Sequence, residues 1–111
     1  MEDEVTTVKE LRGLIASFVE ERQWKRFHTP KNLALSIAIE AAELMEIFQW
    51  SDEHMKLQEE QLQHLREELA DVVIYCLAAA NASGIDLSKA VQAKVEKNIN
   101  KYPADRFQGT I

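Results

Sequence analysis

The sequence of 111 residues predicts an all-α protein. Apolar residues recur every three or four positions over long stretches, which is typical of helices that bury one face. Cap and stop residues divide these stretches into four helices. We find no convincing strand, internal repeat or low-complexity segment in the sequence. We therefore expect a single domain over residues 1–111, a four-helix bundle-like protomer with a tail at 103–111.

The first two predicted helices have clear start signals. Thr7 and Glu10 have the spacing of a capping box, and helical apolar spacing then continues to about Trp24. A loop follows. Thr29–Pro30 combines a cap residue with proline at the first helical position, where its missing N–H costs nothing. The second helix is expected to run from there to about Trp50.

The third and fourth predicted helices are bounded by equally clear residues. A polar connection over Ser51–Lys56 precedes the third helix, which is the longest and ends at Ser83–Gly84, because glycine is the usual helix terminator. Asp86 is the expected cap of the fourth helix, which runs to about Lys101. Pro103 prevents its continuation.

The second and third helices are apolar around almost their whole circumference. A helix at the surface of a monomer needs only one apolar stripe. Four helices from so short a chain would leave parts of these two uncovered. We therefore expect self-association, most commonly with two-fold symmetry, into a homodimer or homotetramer.

Composition predicts a cytoplasmic protein that binds neither nucleic acid nor membrane. The formal net charge of −6 argues against a basic nucleic-acid surface. The acidic segment Met1–Glu4 lacks the pattern of a secretory signal, and the lone Cys76 cannot form an internal disulfide. No apolar stretch reaches the roughly 20 residues of a membrane span.

Two acidic pairs lie within the most apolar part of the chain. Glu40 and Glu43 are three residues apart, as are Glu68 and Asp71, so each pair projects from one helix face. Burying carboxylates beside apolar residues is costly unless something positive compensates. Clusters of oxygen ligands suit hard cations such as Mg²⁺ or Mn²⁺. The two pairs therefore predict a divalent metal site.

Motifs for other metal and nucleotide chemistries are missing from the sequence. The Glu-x-x-His motif of di-iron bundles is absent, as are zinc signatures. There is no P-loop, and the chain has only three glycines. Because all-carboxylate Mg²⁺ sites usually handle phosphates, we expect a metal-dependent enzyme with a phosphate-rich substrate.

Four sequence blocks carry a family resemblance that covers nearly the whole chain. They are Arg22–Leu33, Glu40–Trp50, Glu67–Tyr75, and Lys94–Asn98 followed by Lys101–Arg106. Through them the chain resembles the MazG-type all-α nucleoside triphosphate pyrophosphohydrolases, especially the small dCTP pyrophosphatase branch. The resemblance implies a nucleoside triphosphate diphosphatase that hydrolyses dCTP or modified dCTP to a monophosphate and pyrophosphate, in nucleotide-pool clean-up.

The resemblance also implies roles for individual residues. Mg²⁺, or Mn²⁺ as a substitute, would be held by four catalytic carboxylates. One of the four would act as the general base; the sequence does not rank them, and we take Glu43 for this role. The ligands are Glu40, Glu43, Glu68 and Asp71. Aromatic residues would line the base pocket, and lysines would balance phosphate charge. The implied substrate-binding residues are Trp24, His28, Lys31, Trp50, Tyr75, Lys94, Asn98, Lys101 and Tyr102.

One residue differs from the pattern of the family, and three alternative functions remain open. Ile15 stands where dCTP-specific relatives, as aligned, carry a histidine near the base, which weakens a transfer of strict cytosine preference. A dUTP-preferring relative and a phosphoribosyl-ATP pyrophosphohydrolase are alternatives within the same chemistry. A non-enzymatic helical interaction module, with structural acidic residues, is an alternative of a different class.

Overall fold

The computed structural model describes residues 1–51 and 56–109. These residues form five α-helices and no strand, which confirms the predicted all-α class. A single 3₁₀ turn, Lys25–Phe27, lies in the predicted loop between the first two helices. The helices are α1 (Val8–Glu21), α2 (Pro30–Glu46), α3 (Glu59–Ser83), α4 (Leu87–Lys101) and α5 (Ala104–Phe107).

The predicted helix starts are confirmed by their capping hydrogen bonds. The side chains of Thr7, Thr29 and Asp86 each accept a hydrogen bond from the backbone N–H three residues later, at 3.1, 3.2 and 3.0 Å. The Thr7 backbone N–H also donates to the Glu10 carboxylate at 3.2 Å, which completes the capping box. Local sequence therefore determines where these helices begin.

Two helix ends differ from the prediction. α1 ends at Glu21 rather than near Trp24, because Gln23 has a φ of 55°, outside the right-handed helical region. α2 ends at Glu46. Residues 47–50 form turns with hydrogen bonds between residues three apart, such as Phe48 N–H to Met45 O at 3.0 Å, instead of the four-residue spacing of an α-helix. Residues 52–55 of the predicted connection lie outside the described residues.

α2 and α3 form the centre of the fold. Leu33 and Ser36, early in α2, line a cavity with Tyr75, whereas Glu40, later in α2, lies beside the earlier Glu68 of α3. The two helices therefore run antiparallel. Among the described residues, the buried apolar ones all lie on these two helices and are Leu33, Leu77, Ala78 and Ala80.

α1 is fastened to the end of α3 by a half-buried polar network. Arg12 Nε donates to Asn81 Oδ1 at 2.9 Å, and Asn81 Nδ2 donates to the Arg12 carbonyl at 3.1 Å. Arg12 Nη1 also donates to the carbonyl of Ile85 at 2.6 Å, just after α3 ends, as predicted, at Gly84, which adopts the left-handed conformation. The network fixes α1 across the last turns of α3.

Within one protomer, α1 and α2 pack against α3, whereas α4 does not continue this bundle. α4 turns away from α3 by 104°, and residues 88–101 are all exposed. The chain turns sharply at Gly84, and among the described residues no other helix buries a face of α4. The predicted tail contains the short α5, where the Tyr102 and Phe107 rings meet edge to face at 5.3 Å.

Large apolar side chains remain exposed on all three long helices that follow the 3₁₀ turn. Among the described residues, no single helix has the length and apolar composition of a membrane span; α3 and α4 do so only as a bent pair. A single chain thus leaves apolar surface on its central helices, as their composition predicted. Examples are Leu35, Ile39 and Met45 on α2, Leu69 and Val73 on α3, and Val91, Val95 and Ile99 on α4.

Candidate active site

The two acidic pairs of the sequence meet where α2 and α3 pack. Glu40 of α2 and both Glu68 and Asp71 of α3 each place a carboxylate oxygen within 4.8 Å of the others. All three residues are half-buried. Because each pair occupies one face of its own helix, the antiparallel packing of the helices is enough to bring the pairs together.

Glu43 adjoins this cluster and perturbs its neighbours. A hydrogen bond with the Glu43 carboxyl, burial, and the charges of Glu43, Asp71 and Glu68 raise the pKa of Glu40 to about 7. Burial and the charge of Glu43 also raise the pKa of Glu68. Like charges crowded into a half-buried site favour protonation, and a bound cation would relieve that repulsion. We call Glu40, Glu43, Glu68 and Asp71 the carboxylate cluster.

The cluster has the donor chemistry of a divalent metal site. Glu40 Oε2 and Glu68 Oε2 are buried, and neither receives a hydrogen bond in the described part of the chain. A buried carboxylate oxygen without a partner is costly, and a cation bound here would satisfy both atoms. Because the donors are all oxygens, they fit Mg²⁺ or Mn²⁺ better than zinc or copper.

A cavity of about 310 Å³ opens beside the cluster. Ser36 lies one turn before Glu40 on α2, and Tyr75 lies one turn after Asp71 on α3, so the cavity begins about 6 Å from the carboxylates along either helix. Its walls are mainly aromatic and apolar, with a few polar groups, as in many ligand pockets. The lining residues are Trp24, Phe27, His28, Asn32, Leu33, Ser36 and Tyr75.

A second cavity, of about 380 Å³, shares the lining residue His28 with the first. It lies between α1 and the last turns of α3, where Ile15 and Val19 face Ala78 and Asn81. The Asn81 side chain is already engaged by Arg12. Ile15 therefore lines a cavity that shares the lining residue His28 with the aromatic cavity.

The structure brings some of the predicted site residues together and leaves others apart. Three substrate-binding candidates, Trp24, His28 and Tyr75, line the same cavity. Trp50 is 91% exposed and lines neither cavity. The remaining candidates are exposed and also line neither cavity of the single chain; they are Lys31, Lys94, Asn98, Lys101 and Tyr102.

Five residues at the site were missed by the sequence interpretation, and one of them, Leu33, also belongs to the core. Ser36, Asn32 and Phe27 line the aromatic cavity, and His64 Nε2 lies 3.4 Å from Glu68 Oε1. Helical spacing was the available signal for two of them, because Ser36 precedes Glu40 and His64 precedes Glu68 by four residues each. No comparable signal identifies the loop residue Phe27.

The sequence and the fold are both similar to those of known proteins. Residues 35–110, which include the carboxylate cluster, match the MazG-like family model. The chain belongs to the MazG-like family. A pyrophosphatase of known structure from Archaeoglobus fulgidus is similar, with a TM-score of 0.74 and 39% identity. The match covers 93% of this chain and 98% of that one.

Mammalian relatives of this MazG-like protein are dCTP pyrophosphatases. The dCTP pyrophosphatase 1 of Rattus norvegicus is 38% identical over 108 residues, and that of Mus musculus is 40% identical over the same length. Each match covers 94% of this chain but 64% of the relative. The dCTP pyrophosphatase 1 of Homo sapiens is 39% identical over 102 residues, which cover 88% of this chain and 60% of the relative.

Proposed function

We propose that this MazG-like protein hydrolyses a deoxynucleoside triphosphate, with dCTP or a modified dCTP preferred, to a monophosphate and pyrophosphate. The observation that carries the proposal is the meeting of Glu40, Glu68 and Asp71 beside an aromatic cavity. The relatives' names, which include dCTP pyrophosphatase and pyrophosphatase, support the same reaction. Nucleotide-pool clean-up in the cytoplasm is the role we propose for it.

Each part of the site has a chemical role in this proposal. Glu40, Glu68 and Asp71, with Glu43, would hold Mg²⁺. A bound divalent ion supplies positive charge to the triphosphate and lowers the pKa of the attacking water. The water oxygen bonds to the α-phosphorus, the bond from that phosphorus to the bridging oxygen breaks, and pyrophosphate leaves. Glu43 accepts the water proton, as a general base beside the reacting centre.

The aromatic cavity is the proposed site of the nucleoside. Trp24 and Tyr75 offer ring faces for a base, and His28 lines both cavities. Trp24 is held in place by Phe18, whose ring centroid lies 5.6 Å away in an edge-to-face arrangement. The pocket walls thus come from the 3₁₀ turn and the central helices, close to the carboxylate cluster.

A homodimer or homotetramer is the proposed functional state. The side chains of Val91, Val95 and Ile99 follow one face of α4 and are exposed in the single chain. Apolar exposure of this kind, together with that on α2 and α3, is typical of subunit interfaces. Subunit association would also let residues of α4 and the segment near Trp50 complete a neighbouring pocket. The residues concerned on α4 and just beyond are Lys94, Asn98, Lys101 and Tyr102.

Product analysis tests the reaction. The protein should be incubated with a panel of canonical and 5-methylated nucleoside triphosphates and with phosphoribosyl-ATP, each with Mg²⁺ or Mn²⁺. We expect monophosphate and pyrophosphate, with the fastest turnover on dCTP or its modified form. Release of orthophosphate and a nucleoside diphosphate would contradict the mechanism. A lack of turnover with every nucleotide and both metals would favour the interaction-module alternative.

Substitutions in the carboxylate cluster test the site. Loss of a ligand charge should remove most activity while the helical circular dichroism stays unchanged. Two neighbouring exposed glutamates, Glu46 and Glu67, provide matched controls, and their glutamine variants should keep activity. A loss of turnover in Glu67→Gln but not in Glu68→Gln would contradict the assignment on α3. The test variants are Glu40→Gln, Glu43→Gln, Glu68→Gln and Asp71→Asn.

A further inference from the structure

His64 shares a face of α3 with the carboxylates and with the nucleoside cavity. Residues 64, 68, 71 and 75 are separated by four, three and four positions, the spacing of one helix face. His64 Nε2 lies 3.4 Å from Glu68 Oε1, so the side chain does reach the carboxylate cluster. His64 and Tyr75 therefore flank the cluster on opposite sides along the helix.

The order of these residues along α3 indicates how a bound nucleoside triphosphate would be oriented. With a rise of about 1.5 Å per residue, Tyr75 lies about 6 Å beyond Asp71, and His64 lies about 6 Å before Glu68. A nucleoside at Tyr75 with its α-phosphate at the carboxylates would extend its β- and γ-phosphates away from the cavity. The first turn of α3 beyond the cluster in that direction carries His64.

The His64 side chain is free to meet such a group. It is 54% exposed, and its 3.4 Å contact with Glu68 is longer than a strong hydrogen bond. An imidazole N–H donates to a phosphate oxygen whether the ring is neutral or protonated. The neighbouring cation, Arg66, is engaged elsewhere, with Nη1 donating to Gln63 Oε1 at 3.0 Å and lying 3.4 Å from Glu59.

We infer that His64 binds the β- and γ-phosphates of the substrate and then the pyrophosphate product, by donating a hydrogen bond to a phosphate oxygen. The inference rests on the proposed function and adds to it the orientation of the triphosphate along α3. It makes His64 a substrate-binding residue at the leaving-group end of the site, opposite the nucleoside cavity.

Product inhibition tests this inference most directly. His64→Ala and His64→Gln would be compared with wild type for inhibition by pyrophosphate and by the nucleoside monophosphate, at constant free Mg²⁺. We expect pyrophosphate inhibition to weaken about tenfold in His64→Ala, the loss typical of a hydrogen bond to a charged group. His64→Gln, which keeps an N–H donor, should recover part of it. Inhibition by the monophosphate should not change, and Arg66→Ala should behave as wild type.

Two results would overturn the inference. One is unchanged pyrophosphate inhibition in His64→Ala. The other is a loss of Mn²⁺ affinity in the nucleotide-free His64→Ala protein, measured by electron paramagnetic resonance, because His64 would then act by positioning Glu68.

The inference can also be separated from the proposed reaction. If the wild-type protein hydrolyses no nucleotide, the proposed function fails, and calorimetry of pyrophosphate with the Mn²⁺-loaded protein still decides the role of His64. Equal pyrophosphate affinity in wild type and His64→Ala would refute the inference. A weaker affinity of His64→Ala than of wild type for pyrophosphate would support it.

Discussion

The substitution Glu40→Gln exchanges one charge of the carboxylate cluster for a neutral amide of similar shape. In the metal-free protein, the hydrogen bond with Glu43, burial and the neighbouring carboxylates raise the pKa of Glu40 from 4.5 to about 7. The folded state therefore binds this proton more tightly than the unfolded state does. The corresponding stability is fully present below a pH of about 4.5 and is lost as pH rises through about 7.

The raised pKa of Glu40 sets the size of this effect on the free energy of unfolding. A shift from 4.5 to about 7 corresponds to at most about 3 kcal/mol. Solvent screening in a half-buried cluster reduces the effect to roughly 1 kcal/mol. For a chain of this size, 1 kcal/mol is about 4 °C in Tm. At about pH 8 without metal, Glu40→Gln should therefore melt about 4 °C above wild type, and the difference should be smaller at about pH 5.

In the presence of a divalent metal ion, wild type should instead have the higher Tm. At a Mg²⁺ concentration of about 100 times its Kd, wild type gains about 2.7 kcal/mol, whereas the variant lacks one ligand and gains less. Thermal melting by circular dichroism, with EDTA or with Mg²⁺ at both pH values, measures the effect. Glu67→Gln, an exposed change on α3, is the matched control and should follow wild type. A variant that melts below wild type at high pH in EDTA, or equal stabilisation of both by Mg²⁺, would refute the reasoning.

Three further predictions concern packing and assembly. Leu33 is 2% exposed, so Leu33→Ala should cost about 2–5 kcal/mol in urea denaturation, and a cost well below this would contradict its place in the core. Asn81→Ala leaves Arg12 without its side-chain partner and should cost about 1–3 kcal/mol. Faster amide exchange in α1 would accompany that loss, and unchanged exchange would argue against the network. In sedimentation at low micromolar concentration, wild type should be a dimer or tetramer and Val95→Asp should dissociate; an active wild-type monomer would contradict the proposed assembly.

Local chemistry explains why sequence sufficed for part of this protein. The caps at Thr7, Thr29 and Asp86 and the stop at Gly84 were predicted because each acts within about one helical turn. The same short range made the acidic pairs readable, since i and i+3 share a helix face wherever the helix lies. Helical class, helix starts and the two pairs of carboxylates therefore followed from the sequence.

Tertiary packing decided the rest. The sequence could not determine that α4 leaves α3 at 104°, because that direction depends on the turn at Gly84 and on which faces find partners. The raised pKa of Glu40 exists only because α2 packs against α3, and no pattern within one helix reports such a contact. The contact between His64 and Glu68 shows the same division: spacing placed both residues on one face, and three-dimensional structure showed that His64 reaches the cluster.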